Sequence, residues 1–359
     1  MSSNYNRIVI KIGSNVLTQK DGLPDVKRIS HLVDQIATIK KQGNQVILVS
    51  SGAVASGRSM ISISEKYDAV AARQLLASIG QVKLINTYAQ LFEQYGILCS
   101  QVLVTKEDFR DRMHYLNMKN CLDLLLDYEV IPVVNENDVV SVTELMFTDN
   151  DELAGLIASM LNAQALIILT NVDGIYNGDP KLPESSVIDE IGGGEVDFSA
   201  FISSGKSQFG RGGMITKSTM AQKVAALGIE VHIANGTKDN ILTDVLNNKT
   251  QHTRFIPKKI ASGKKKWLAH SEKYATGVVQ VNDGARNALT SERATSLLPV
   301  GLVDILTDFK KGDIIKLVDA HERLIGLGIA EYGADKAREK IGQKNQKPLV
   351  HYDYLYLQC

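Results

Sequence analysis

Four short stretches set glycine beside polar groups able to do chemistry: Val9-Ile10-Lys11-Ile12-Gly13-Ser14, Val49-Ser50-Ser51-Gly52-Ala53-Val54, Phe147-Thr148-Asp149-Asn150-Asp151 and Gly210-Arg211-Gly212-Gly213-Met214-Ile215-Thr216-Lys217. The first two follow runs that read as buried strands, and the last two open runs that read as helices. An open α/β sheet holds phosphates this way, at the carboxyl ends of its strands and on helix N-termini. Lys11 and Lys217 place a cation in the first and last of these loops. Two cations converging with backbone N–H groups suit a nucleoside triphosphate passing its terminal phosphoryl group to a small molecule.

Each stretch also has a plainer reading. A lysine at a strand's carboxyl end can snorkel to solvent, although the Gly13-Ser14 that follows lets the backbone close on an anion. No G-x-x-x-x-G-K-[ST] match occurs, which excludes an ordinary P-loop. Ser50-Ser51-Gly52-Ala53 is either a tight turn or a nest whose N–H and hydroxyl groups hold an acidic substrate. Asn135-Glu136-Asn137-Asp138 directly follows a strand, which suits either a surface turn or a substrate contact at the strand's carboxyl end. Asn150 can cap a helix with Asp151 and Glu152 in its first turn, an arrangement the helix dipole explains unaided. An anionic Asp151 near Lys11 and Lys217 would, in addition, hold both ammonium groups in place. Lys217 departs from the dipole rule, because a cation in a first turn is disfavoured by about 0.3–1 kcal/mol unless an anion is present. The seven histidines are scattered and form no metal or triad spacing.

The elements that must position these groups alternate regularly. Strands are expected at Ile8–Ile12, Val46–Val49, Ile97–Val104, Val130–Val134, Ala165–Leu169 and Glu230–Ala234. Between them Asp25 caps a helix with apolar residues at Val26, Ile29, Val33, Ile36 and Ile39, ending before Gly43. Further helical runs cover Asp68–Ala77, Val82–Gln94, Phe109–Leu126, Asp151–Leu161 and Ile215–Leu227. The pattern implies an α/β fold, an open, mostly parallel sheet sandwiched by helices. Around Pro257 the texture changes to the basic run Lys258-Lys259-Ile260-Ala261-Ser262-Gly263-Lys264-Lys265-Lys266. The expected division is a domain over 1–257, a basic linker over 258–276 and a small, mainly β domain over 277–359.

Bulk properties narrow the function classes. The chain has 359 residues, 44% hydrophobic and 22% charged, with 40 Lys+Arg against 40 Asp+Glu. That balance supplies no global field toward nucleic acid or a membrane. Cys99, Cys121 and Cys359 lack CxxC spacing, which fits a reducing cytosol and offers no zinc site. The polar N-terminus shows no signal peptide and no apolar run has the length of a transmembrane helix, so a cytoplasmic protein without a membrane partner is expected.

Taken together, these stretches resemble the amino-acid kinase family, in order and spacing, over nearly the whole chain. Val9–Thr18 resembles its first phosphate loop, Val49–Arg58 its substrate loop, and Asn135–Asp138 with Asp149–Leu153 its amino-acid-contacting segments. Leu169-Thr170-Asn171-Val172-Asp173-Gly174-Ile175-Tyr176 resembles the nucleotide-side loop, and Gly212–Lys217 the second phosphate loop. Residues 277–359 resemble a PUA domain through Asp283-Gly284-Ala285, Ser296-Leu297-Leu298-Pro299-Val300-Gly301 and Phe309-Lys310-Lys311-Gly312-Asp313. A kinase domain followed by a PUA domain is typical of the family's glutamate 5-kinase branch.

The resemblance implies transfer of the ATP γ-phosphoryl group, with Mg²⁺, to the γ-carboxylate of L-glutamate, the first step of proline biosynthesis, with proline as feedback inhibitor and a homo-oligomeric assembly. It implies that Lys11, Lys217 and Asp151 are catalytic and that Ser51, Gly52, Asp138 and Asn150 hold glutamate. Lys11, Gly13, Ser14, Thr170, Asn171, Arg211, Gly212, Gly213, Met214, Ile215, Thr216 and Lys217 would bind the nucleotide, with no side-chain metal site. Asn171 and Arg211 depart from the family pattern of Asp and a small residue, which bears on nucleotide preference. PUA domains also occur in RNA-binding proteins, and Lys264-Lys265-Lys266-Trp267 has suitable chemistry. Residues 277–359 nevertheless hold 11 Lys+Arg and 11 Asp+Glu, so nucleic acid is not expected as the main partner.

Overall fold

The computed structural model describes residues 5–63, 68–109, 112–141, 147, 149–180, 182–192, 213–258, 268, 271–272, 275–291 and 295–357. Arg211, Gly212 and most of the basic run after Pro257 lie outside the described residues. The chain divides into two units, Met1–Ile260 and Ala261–Cys359.

Short apolar runs separated by helices leave parallel pairing through crossovers as the way to build one sheet. The first unit runs β1 (Arg7–Ile12), α1 (Ser14–Leu17), α2 (Val26–Lys41), β2 (Gln45–Ser50), α3 (Ala53–Arg58), α4 (Ala69–Glu93), β3 (Cys99–Val104), α5 (Arg112–Asp127) and β4 (Ile131–Glu136). It continues with α6 (Asn150–Met160), β5 (Ala165–Thr170), β6 (Glu190–Ile191), α7 (Met214–Ala226), β7 (Glu230–Asn235), α8 (Ile241–Leu246) and β8 (Thr253–Phe255). The sheet order is β3-β4-β2-β1-β5-β7-β8-β6. From β3 to β7 every pair is parallel, whereas β8 runs antiparallel to β7 and β6 parallel to β8.

Asp25 caps α2 by accepting from the Arg28 N–H at 3.0 Å, as expected. Its buried Ile29, Leu32, Val33, Ile36 and Ile39 recur every three or four residues and share a core with Ile8, Ile10 and Ile12 of β1, Val46 and Leu48 of β2, and Ile167 and Leu169 of β5. Strand alternation sends Val9 and Lys11 to the opposite face. In register, Ile12 lies beside both Ser50 and Leu169, and Thr170 beside Asn235. The carboxyl ends of β2, β1, β5 and β7 therefore line one edge.

Several boundaries differ from expectation. β4 continues through Asn135 and Glu136, which are buried strand residues rather than the start of a turn. The two helical runs expected around Ser78–Gln81 form the single helix α4. Gly80 does not break it: a Cβ there would overlap the Ala53 carbonyl oxygen and the Gly57 nitrogen, so glycine lets α3 and α4 pack backbone against backbone. The short α3, α8, β6 and β8 carried too little periodic sequence to be anticipated.

The second unit contains β9 (Gly277–Val281), α9 (Asp283–Thr290), β10 (Leu302–Thr307), β11 (Ile314–Val318), β12 (Leu324–Ile329), α10 (Ala334–Lys340) and β13 (Leu355–Leu357). The strands form a separate sheet in the order β10-β9-β11-β12-β13, in which only β9 and β11 pair in parallel. Val279, Val281, Leu302, Ile315, Leu317, Leu349 and Val350 fill its core. Among the described residues no helix is long and apolar enough to cross a membrane.

Candidate active site

The N-terminus of α6 faces the side of β1 that carries Lys11. Asp149, not Asn150, caps this helix, its carboxylate accepting from the Asp151 N–H at 2.9 Å and the Glu152 N–H at 3.2 Å. Asp151 follows inside the first turn and is fully buried. Its Oδ1 lies 2.5 Å from the Lys11 ammonium, and its Oδ2 accepts from Lys217, which α7 brings in from its own first turn. Lys217 also lies 3.7 Å from Asp149 Oδ2.

Burial opposes ionisation of Asp151, but the two ammonium groups outweigh it and hold the carboxyl well below the ordinary range. Burial raises Asp149 to about 6, helped by the negative charge of Asp151 and only partly offset by the lysines. For Lys217, burial favours the neutral amine, yet Asp151 and Asp149 overcome it and raise its pKa. The centre thus holds two cations in fixed positions against two carboxylates, an arrangement in which an anion would find its partners preorganised.

Capping by Asp149 leaves the Asn150 side chain for another task. Its amide donates to Ser51 Oγ at 2.9 Å, Asn135 Oδ1 at 3.0 Å and the Ser50 carbonyl oxygen at 3.4 Å. The Asn135 amide in turn donates to Gln81 Oε1 at 3.0 Å, and Ser50 Oγ pairs with the Tyr88 hydroxyl at 2.8 Å. Gly52 holds φ at 107°, a left-handed conformation that turns β2 into α3 directly behind Ser51. Asp138, in the loop after β4, receives two N–H groups of Arg73 on Oδ1, at 2.6 Å from Nη2 and 3.0 Å from Nε.

Among the residues expected to bind a nucleotide the geometry is looser. Gly13 spends its N–H on the Leu169 carbonyl oxygen at 3.2 Å, tying the exit of β1 to β5 rather than pointing to a ligand. Ser14 opens α1. Thr170 ends β5, with its hydroxyl 3.4 Å from Asn171 Oδ1. Gly213 is the N-cap of α7, and Met214, Ile215 and Thr216 fill the first turn ahead of Lys217.

Of the expected residues, the structure joins Lys11, Asp151 and Lys217 in one cluster and Ser51 with Asn150 in a second. Asp138 is held by a residue the sequence did not single out. Ser14, Thr170, Asn171 and Met214–Thr216 line strand and helix ends without joining either cluster. Asn135 and Asp149 fell within the expected stretches Asn135–Asp138 and Asp149–Leu153 without a role of their own, whereas Gln81 and Arg73 were not among the expected site residues. Their one available signal was polarity inside otherwise apolar or ordinary helical runs, which also fits a solvent-facing residue.

The Amino acid kinase family model matches residues 6–235, and the PUA domain model matches residues 277–352. A protein of Bacteroides thetaiotaomicron named glutamate 5-kinase is 55% identical over 361 residues, covering 100% of both chains. One of Chlorobaculum tepidum with the same name is 50% identical over 354 residues, covering 98% of each. Among solved structures, the carbamate kinase of Giardia lamblia bound to AMP-PNP aligns with a TM-score of 0.51 at 21% identity, covering 72% of this chain and 100% of its own, a likeness of fold alone. With the paired lysines on one buried aspartate already in place, these matches make the chain a kinase: it belongs to the amino acid kinase family, in the glutamate 5-kinase branch that carries a C-terminal PUA domain.

Proposed function

We propose that the protein transfers the γ-phosphoryl group of ATP to the γ-carboxylate of L-glutamate, giving L-glutamyl 5-phosphate for proline biosynthesis, and that proline inhibits it by competing at or beside the glutamate site. The observation that carries this reading is the adjacency of two clusters on successive residues of α6. Asp151 holds both lysines, while Asn150 reaches Ser51 and Asn135.

A carboxylate acceptor is already a nucleophile, so no general base is required. What must be overcome is repulsion between that carboxylate and the γ-phosphate. Lys11 and Lys217 sit where they would bridge the two anions and stabilise charge developing on the transferring group. Asp151 holds both lysines in place and keeps Lys217 protonated. Ser51, Asn150 and Asp138 would orient glutamate, with Asp138 facing its ammonium. Among the described residues no group of three or more His, Cys, Asp or Glu side chains could hold a metal ion. Mg²⁺ would be carried on the nucleotide's phosphates, since this ion keeps water and phosphate oxygens in preference to an all-protein cage. When bound, it neutralises part of the phosphate charge. Residues 1–257 would then hold the whole reaction and 277–359 a separate PUA domain.

The test is ADP release with glutamate, aspartate, acetylglutamate, carbamate and UMP offered in turn. Turnover confined to glutamate is expected, with inhibition by millimolar proline that weakens as glutamate rises. Turnover of another acceptor in preference to glutamate overturns the reading.

A further inference from the structure

Helix α4 touches the substrate side of the sheet at three points. At 100° per residue, Gln81 and Tyr88 lie roughly 80° and 60° around the helix from Arg73, so the three share one stripe. Tyr88 reaches Ser50, Gln81 reaches Asn135, and Arg73 reaches Asp138. One turn is pinned further by Gln74, whose amide donates to the Val139 carbonyl oxygen at 2.9 Å. Of the three, Arg73 alone brings charge.

The pairing geometry is unusual for arginine on a carboxylate. A guanidinium commonly spreads two N–H groups over two oxygens. Here Nε and Nη2 both engage Asp138 Oδ1, and Nη2 is also 4.0 Å from Glu136 Oε2. Among the described residues, Asp138 Oδ2 and Arg73 Nη1 make no hydrogen bond. Asp138 is almost fully buried, and Arg73 is about one-third exposed, at 34%. Among the described residues, the pair is thus a dipole with an acceptor left over at one end and donors at the other.

The head of an α-amino acid is a dipole too, an ammonium and a carboxylate on one carbon. We propose that Arg73 and Asp138 act as one recognition unit for that head, Asp138 taking the α-ammonium and Arg73 the α-carboxylate, which makes Arg73 a specificity-determining residue for α-amino acids. The inference rests on the reading of Asp138 as the partner of an amino-acid ammonium. A neutral pair meeting a neutral zwitterion requires no net buried charge. An acceptor lacking either group leaves one member of the pair without its partner, which is the stronger route to discrimination.

The test uses the full-length protein, its Arg73→Gln and Arg73→Lys variants, and two probes. 4-Aminobutyrate is glutamate without the α-carboxylate, and glutarate is glutamate without the ammonium. In Arg73→Gln the KM for glutamate should rise about tenfold to a hundredfold, the worth of a charge-assisted hydrogen bond, while kcat changes less than threefold. The inhibition constant of 4-aminobutyrate should stay level or tighten, because Asp138 loses its internal competitor, and that of glutarate should weaken. Arg73→Lys keeps a cation on Asp138 and serves if Arg73→Gln fails to fold, with the same split between glutamate and 4-aminobutyrate. Equal losses for both ligands, or a fall in kcat at constant KM, overturn the proposal and leave Arg73 a brace for the loop. Failure of 4-aminobutyrate to bind any of the proteins also overturns it, since Asp138 would then not act as an independent half. Absence of glutamate turnover by the unmodified protein is a different result, and it removes the functional reading itself.

Discussion

Lys11 holds one oxygen of the Asp151 carboxylate at 2.5 Å and leaves the other to Lys217. Since Lys11 lies near the end of a central strand and Lys217 near the start of a helix far along the chain, their separation is set by one side chain. That gives each lysine a role which a single substitution can expose.

Lys217→Ala should lower kcat by roughly 10²–10³, the usual cost of removing one preorganised charge donor. Asp151 keeps Lys11 as a partner, so circular dichroism and thermal unfolding should report an intact fold. A folded variant with near-normal kcat would remove Lys217 from the chemistry.

Asp138→Ala should raise the KM for glutamate far more than that for ATP. The carboxylate lies in the loop after β4, the strand that ends with Asn135 and Glu136, and its partner is Arg73 rather than either lysine. Both constants measured on one preparation decide it. An effect confined to ATP would place Asp138 outside the amino-acid pocket.

Asp149 should leave a mark on stability as pH changes. Its folded carboxyl titrates at about 6, above the ordinary value of 3.8. The folded state therefore binds that proton more tightly than the unfolded chain. The resulting stabilisation is complete below the ordinary value and is lost as pH rises through about 6. In ligand-free protein, the unmodified chain should lose thermal stability relative to Asp149→Asn between pH 4 and 6.5. Asparagine also caps helices well, so the comparison isolates the charge. A constant gap across that window would contradict the assignment.

Gly80→Ala should cost on the order of 1–3 kcal/mol, the range for overpacking a tight interior. The new methyl group meets the backbone of Ala53 and Gly57, so α3 must move, and with it the Ser51-Gly52 turn. Urea unfolding should show the lower stability, and the KM for glutamate should rise with it. Unchanged stability would mean that α3 and α4 have more room than their contact suggests.

These residues differ in how well the sequence announced them. Lys217 was legible because it breaks a local rule, a cation in a first turn, and the nearby anion resolves the conflict. Lys11 was legible because charge interrupts an apolar strand. Asp151 could be placed but not interpreted locally, since the helix dipole explains an acid there equally well. The cap on α6 was assigned to Asn150, one residue late, because Asp149 and Asn150 are both good caps and only the backbone decides between them. Arg73 was invisible. Its partner lies on another element, and a lone arginine in a helical run normally faces water. The alternation of strands and helices made the parallel sheet readable, while the antiparallel β8 and two-residue β6 are too short to leave a period.

β1 sits between β2 and β5 and is synthesised before both. Its partner on one side follows directly after α1 and α2, but the other begins only at Ala165. At about 5–20 residues per second, that flank stays without its neighbour for roughly ten to thirty seconds of translation. Throughout that interval a nearly all-apolar strand exposes an open edge to the crowded interior of the cell, a template for pairing with the wrong chain. The lysine proposed to meet the phosphate is, with Arg7 at the strand's start, one of two charges along that edge. During synthesis it would act as a gatekeeper, protecting the nascent enzyme before there is any nucleotide site for it to serve.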